Sequence, residues 1–115
     1  MSEARRDADY LGDVLEAILR IQSYTLAMEW EDFLSDHKTQ DAVVRNLEII
    51  GEAVKNLSPE FTQINPQVPW KDLSGVRDKL IHHYFGVNYE IVWQIVQEDL
   101  PALSNQIEEI IRPKY

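Results

Sequence analysis

Cysteine is missing from this chain altogether, glycine occurs four times and proline five, and eleven lysines and arginines face twenty acids. Without cysteine there is no disulfide framework, no thiolate zinc site and no cysteine nucleophile. That usage suits a reducing compartment, so a cytoplasmic protein is expected. Few glycines and prolines beside 10% aromatics are the wrong composition for a disordered chain. No apolar run approaches the roughly 18 residues of a membrane span, so no membrane association is expected. Met1 to Asp9 is polar and charged, unlike a signal peptide. A formal net charge of −9 argues against indiscriminate binding to nucleic acid, which is driven by neutralising phosphates.

What is present is 115 residues, 44% of them hydrophobic, read as a single domain over residues 1–115. A chain of this length buries roughly 60–70% of its unfolded surface. The charge is uneven. Residues 66–86 hold Lys71, Arg77 and Lys79 against Asp72 and Asp78, a balance of +1, and leave −10 for the rest. His82 and His83 lie in the same stretch, which makes it the place to expect a phosphate.

The patterning is helical throughout. Leu11, Val14, Leu15, Ile18 and Ile21 form one stripe and predict a helix over about Asp7–Tyr24. Glu29–Leu34 is either a further helical turn or a continuation of that helix. Val43, Leu47, Ile50, Val54 and Leu57 step by 4, 3, 4, 3 along a second long helix, capped by Ser35 or Asp36 and ended by Ser58-Pro59. Gly51 inside it costs about 1 kcal/mol in propensity and is read as a close approach of a neighbouring helix. Residues 58–69, with Pro59, Pro66 and Pro69, form a connector with room for one short turn. A third helix is expected from Trp70 or Ser74 to Tyr84, broken by Gly86. Asn88 caps the last helix, whose stripe is Val92, Val96, Leu100, Leu103, Ile107 and Ile110. Pro101 either kinks it, or Asp99 caps a new helix. No segment alternates apolar and polar residues, so no strand is expected. The result is an all-α bundle of four main helices.

Arg77, His82, His83 and Tyr84 lie within eight residues. Arginine is a permanent cation with a planar fork for phosphate, and histidine is a general acid or base near neutral pH. Together they are the groups needed to cleave RNA without a metal. A base takes the 2′-hydroxyl proton, the oxygen attacks the adjacent phosphorus, and the cation holds the developing charge. On one helix Arg77 and Tyr84 share a face, but Arg77 and His82 stand roughly 140° apart. They converge only if the helix ends near His82 or a second subunit contributes, as a two-fold dimer does.

The pattern R-x4-H-x-Y at Arg77, His82 and Tyr84 resembles the signature of the HepT-like toxins of the HEPN ribonuclease superfamily. The likeness extends over Val44 to Ala53, Pro69-Trp70, Gly75 to Asp78, Tyr84 to Val87, and Val92-Trp93 through Asp99-Leu100-Pro101, hence essentially the whole chain. It implies a dimeric HEPN-type bundle of four main helices plus a short one. It also implies a metal-independent endoribonuclease with no cofactor, the toxin of a pair whose antitoxin is a minimal nucleotidyltransferase. On that likeness Arg77 and His82 are the catalytic pair. Tyr84 assists them and is the acceptor of the neutralising AMP. Asp78 orients the arginine, and His83 is a helper or solvated. Arg45, Asn46 and Glu48 form either a buried polar network or dimer contact, or a support that aims Arg77. The acidic bulk points to a narrow, structured RNA target.

Each residue also has a plainer reading. Arg77 pairs on the surface with Asp72 or Asp78; His82 is a hydrogen-bonded structural histidine; Tyr84 packs with its hydroxyl satisfied. Glu48 and Glu52 have no histidine three residues on, so a di-metal site is rejected. His37 is solvated, and Trp30, Trp70 and Trp93 are core or interface anchors. The rival function is a non-catalytic helical subunit that docks, or presents substrate to, a nucleotidyltransferase.

Overall fold

The computed structural model describes residues 5–82 and 86–112, with only the backbone described at His82. Helix α1 spans Asp7–Tyr24, as the apolar stripe predicts, and buries Leu11, Val14, Ile18 and Ile21. Ala27, in the left-handed region at φ 62°, separates it from α2, Trp30–Ser35, so Glu29–Leu34 is a turn of its own.

Helix α3 spans His37–Lys55. Of the two candidate caps, Asp36 serves: its carboxylate accepts from the Thr39 backbone N–H at 3.0 Å and the Thr39 hydroxyl at 2.9 Å. These bonds hold the Asp36 carboxyl below its ordinary value, the backbone bond first. A depressed folded-state value means the cap's contribution is present above the unfolded carboxylate range. It is lost as pH falls through the folded value.

Helix α3 ends earlier than the Ser58-Pro59 signal indicates. The Asn56 side chain donates to the Glu52 carbonyl at 2.8 Å and closes it. Ser58 instead caps α4, Pro59–Ile64, the short turn within the connector. The Ser58 N–H and hydroxyl also donate to the Asp7 carboxylate at 2.8 and 2.7 Å, clasping the start of α1 to the α3–α4 turn.

The expected third helix to Tyr84 is corrected at two points. It is split by Gly75 into α5, Trp70–Ser74, and α6, Val76–Leu80. It then stops, because the Leu80 carbonyl accepts from the Asn88 N–H at 2.8 Å. The chain leaves α6 extended as β1, Ile81–His82, and pairs antiparallel with β2, Gly86–Val87: Ile81 opposite Val87, His82 opposite Gly86. This ladder corrects the expectation of no strand; strands of two residues are too short to show alternation. Gly86 sits at φ +74°, a conformation that other residues adopt only under strain.

Asn88 caps α7, Tyr89–Gln94, by accepting from the Ile91 N–H at 3.2 Å. A π segment, Ile95–Asp99, then runs into α8, Leu100–Ile111. Pro101 stands in the first turn of α8, the helical backbone runs on through it, and Asp99 makes no side-chain cap. The wider π turn lies immediately before the proline, whose ring and missing N–H conflict with a tight α turn. It also accounts for the two successive four-residue steps from Val92 to Val96 to Leu100.

The core lies between α1, α3 and the α7–α8 rod, and the fold is all-α apart from the short ladder. Trp70 is buried, with its indole N–H donating to the Asn65 carbonyl at 2.8 Å. Trp93 stacks on Phe33 at 5.0 Å between ring centres and also neighbours Trp30, which anchors α2 on α7. All three tryptophans thus serve packing. None of the described helices is long and apolar enough to cross a membrane.

Gly51 is the crossing point of α3 and α5–α6. A Cβ there meets the Leu73 carbonyl oxygen and Val76 Cγ1, each at 3.2 Å, as the close-approach reading requires. A Cβ on Gly12 of α1 meets nothing within 4 Å. Gly12→Ala is therefore expected to raise stability by about 1 kcal/mol, the propensity difference alone. Gly51→Val is expected to lower it by about 2 kcal/mol through overpacking. Denaturant titration checks both; equal effects would refute the assignment of Gly51 as the contact.

Candidate functional site

Helix α6 places Arg77 at its second position, with Val76 and Leu80 buried on either side. The side chain is 68% exposed, and its Nε lies 3.3 Å from Glu48 Oε2 on α3. Glu48, one of the three residues read as a possible support that aims Arg77, is thus its ion-pair partner, in place of Asp72 or Asp78. Asp78, the next residue round α6, projects about 100° away and is exposed. Asp72 lines a different cleft, together with Lys79, Glu98 and Asp99.

Arg77 and His82 can converge within one chain only where the helix ends before His82. Helix α6 ends at Leu80, so the backbone is already extended at His82 and the roughly 140° helical separation no longer applies. The ladder holds the His82 backbone opposite Gly86. The His82 side chain, and the whole of His83 and Tyr84, lie outside the described residues.

Arg45, Asn46 and Glu48 divide between the two readings. Asn46 is buried and donates to the Ala42 carbonyl of its own helix at 2.8 Å, a structural role. Glu48 is the one that touches Arg77. Arg45 is exposed, and both arginines line one cleft of about 350 Å³ where α3 meets α1 and α5–α6. The basic stretch 66–86 does not act as a unit, since Lys71 and Lys79 both face elsewhere. The cations that do join Arg77 are Arg45 and Lys55 of α3 and Arg5, just ahead of α1; the family likeness singles out Arg45, and no local pattern marks Arg5 or Lys55. His37 is exposed, with Nδ1 3.3 Å from Gln40 Oε1. Among the described residues no three histidines or acids group as a metal site.

Both members of the Arg77–Glu48 pair reach solvent, so screening leaves it little to add to folding. Glu48→Gln is expected to lower stability by less than about 1 kcal/mol in denaturant titration. A larger loss would mean that Glu48 supports more than the arginine.

Comparison with known proteins bears on this geometry. The family model described as ribonuclease HepT-like matches residues 14–110. A Methanocaldococcus jannaschii protein provisionally named an RNase is 54% identical over 103 residues, covering 90% of this chain and 85% of the relative. A Thermococcus cleftensis protein provisionally named ribonuclease HepT is 48% identical, over 92% of this chain and 96% of its own. A Caldanaerobacter subterraneus protein, also provisionally named an RNase, is 46% identical, over 90% and 92%. No solved structure matches significantly. The match runs through the α1–α3 core and the α5–α6 turn that presents Arg77, and on it the chain belongs to the HepT-like family of RNA-cleaving enzymes.

Proposed function

We propose that this chain is a metal-independent endoribonuclease in which Arg77 and His82 act on one phosphodiester. His82 takes the proton of a ribose 2′-hydroxyl, and that oxygen attacks the adjacent phosphorus. The bond from phosphorus to the 5′-oxygen breaks, and the departing oxygen takes a proton from a protonated His82 imidazolium or from water. The Arg77 guanidinium binds the phosphoryl oxygens and stabilises their growing charge. Tyr84 assists in the cleft, Glu48 orients Arg77, and His83 is a helper. Arg45 faces the substrate, and Asn46 stiffens α3 beneath it.

The observation that carries this reading is the end of α6 at Leu80. A helix continuing to Tyr84 would turn Arg77 and His82 away from each other. An extended backbone after Leu80 removes that obstacle, within a family of ribonucleases. The working unit is a homodimer, in which a two-fold axis brings two copies of the motif together. It works in the cytoplasm as the toxin of a pair. A minimal nucleotidyltransferase neutralises it by adding AMP to Tyr84, which adds negative charge and bulk where RNA must bind.

The test is cleavage of RNA in excess EDTA by protein made without the nucleotidyltransferase and shown by intact mass to be unmodified. Cleavage is expected to persist in EDTA and to fall by at least about a hundredfold in Arg77→Ala and His82→Ala, the scale of losing an acid–base or charge-stabilising group. Activity retained in both variants would overturn the residue roles. Unmodified protein that forms a dimer but cuts nothing would make the chain the docking subunit of its partner instead.

A further inference from the structure

The cleft beside Arg77 contains more than the proposed reaction requires. Its walls carry Arg5, Arg45, Lys55 and Arg77, four of the chain's eleven lysines and arginines. They carry three of its twenty acids: Asp13, Glu48 and Glu52. The cleft is thus +1 on a molecule whose remaining residues sum to −10. Four other clefts among the described residues are neutral or acidic.

The three acids are matched to three of the cations. Arg5 meets Asp13 at 2.8 Å, Lys55 meets Glu52 at 3.5 Å, and Arg77 meets Glu48 at 3.3 Å. Arg45 is the fourth cation and makes no ion pair among the described residues. Every one of these pairs reaches solvent, so each is weak and exchangeable. A phosphate can take over a guanidinium with two parallel hydrogen bonds, which beats a single exposed contact.

An aromatic platform completes the cleft. The Arg5 guanidinium carbon lies 4.8 Å from the centre of the Tyr10 ring. A guanidinium stacked on an aromatic ring presents a flat, cationic surface, the kind on which unpaired bases stack. The clasp from Ser58 to Asp7 fixes this end of α1 and so fixes the position of the wall.

We propose that this cleft is the subsite for a single-stranded stretch of RNA flanking the scissile phosphate. Arg45, Lys55 and Arg5 bind its backbone, and the Arg5–Tyr10 pair stacks one of its bases. The inference rests on the ribonuclease reading above. It also accounts for how so acidic a protein holds a polyanion: one narrow channel with its cations already oriented, on a surface that repels the strand elsewhere.

The test measures binding, separately from cleavage. A labelled single-stranded RNA of about ten nucleotides, and a dinucleotide, are titrated into the His82→Ala protein, which leaves both uncut. The longer strand is expected to bind at least about tenfold more tightly than the dinucleotide. Arg5→Ala, Arg45→Ala and Lys55→Ala combined are expected to erase that advantage. The slope of log affinity against log salt should become shallower by about 2, near 0.7 for each phosphate that is no longer neutralised. Arg5→Lys, Arg45→Lys and Lys55→Arg combined should restore most of the slope, and Tyr10→Leu should weaken binding where Tyr10→Phe does not.

An unchanged affinity and slope in the triple alanine variant would overturn the proposal, as would failure of the His82→Ala protein to bind RNA at all. A normal cleft in a wild-type protein that cuts nothing would overturn the catalytic reading and leave the subsite standing. Efficient cutting with no effect of the triple variant would do the reverse.

Discussion

The close crossing at Gly51 is the constraint on which the rest of the site depends. Helix α3 is the spine of the molecule, with one side packed on α1 and another on α5–α6. Because position 51 has no side chain, the Leu73 carbonyl and Val76 come within van der Waals reach of the helix backbone. That depth sets where α6 begins, one residue before Arg77. It places the arginine beside Glu48, a turn of α3 away from the crossing. A bulkier residue would lift α6 away, and the guanidinium would no longer reach α3.

Charge works on a different scale from this packing. The apolar core holds the helices in place, and the surface ion pairs add little to that. Their use is to keep flexible cations pointed in one direction without binding them tightly. Arg77, exposed over most of its surface, is oriented and still available. A buried arginine would be better fixed, but at a large desolvation cost and out of reach of a substrate.

Much of the fold is legible in the residues, because long apolar stripes report helices directly. The stripe from Leu11 to Ile21 delimits α1, the 4-3-4-3 steps from Val43 trace α3, and Asn88 caps where it should. What is not legible has physical causes. Ser58-Pro59 reads as a helix stop, but a side-chain bond from Asn56 ends the helix first. Leu80 to Tyr84 reads as helix, but a hydrogen bond from Asn88 captures the Leu80 carbonyl, a pairing that no local propensity reveals. At the site, Arg77 stands out through its spacing from His82. The family likeness also singles out Glu48 and Arg45, but the companions Arg5 and Lys55 come from other parts of the chain, and only the packing of α1 and α5–α6 on α3 brings them together.

The π segment before Pro101 has a consequence for where this chain can gain or lose residues. Turns such as the one between α1 and α2 absorb gained or lost residues, since their ends stay put. Along the Tyr89–Ile111 rod the apolar stripe is read in phase like a reading frame, and only Ile95–Asp99, which holds one residue more than a regular helix needs, has a residue to give up. Deleting one residue there returns the segment to regular turns and leaves Leu103 and Ile107 in phase with Val92 and Val96, but it sets the Pro101 ring against a tight turn. The wider turn lets the rod carry a proline while both of its halves face one core.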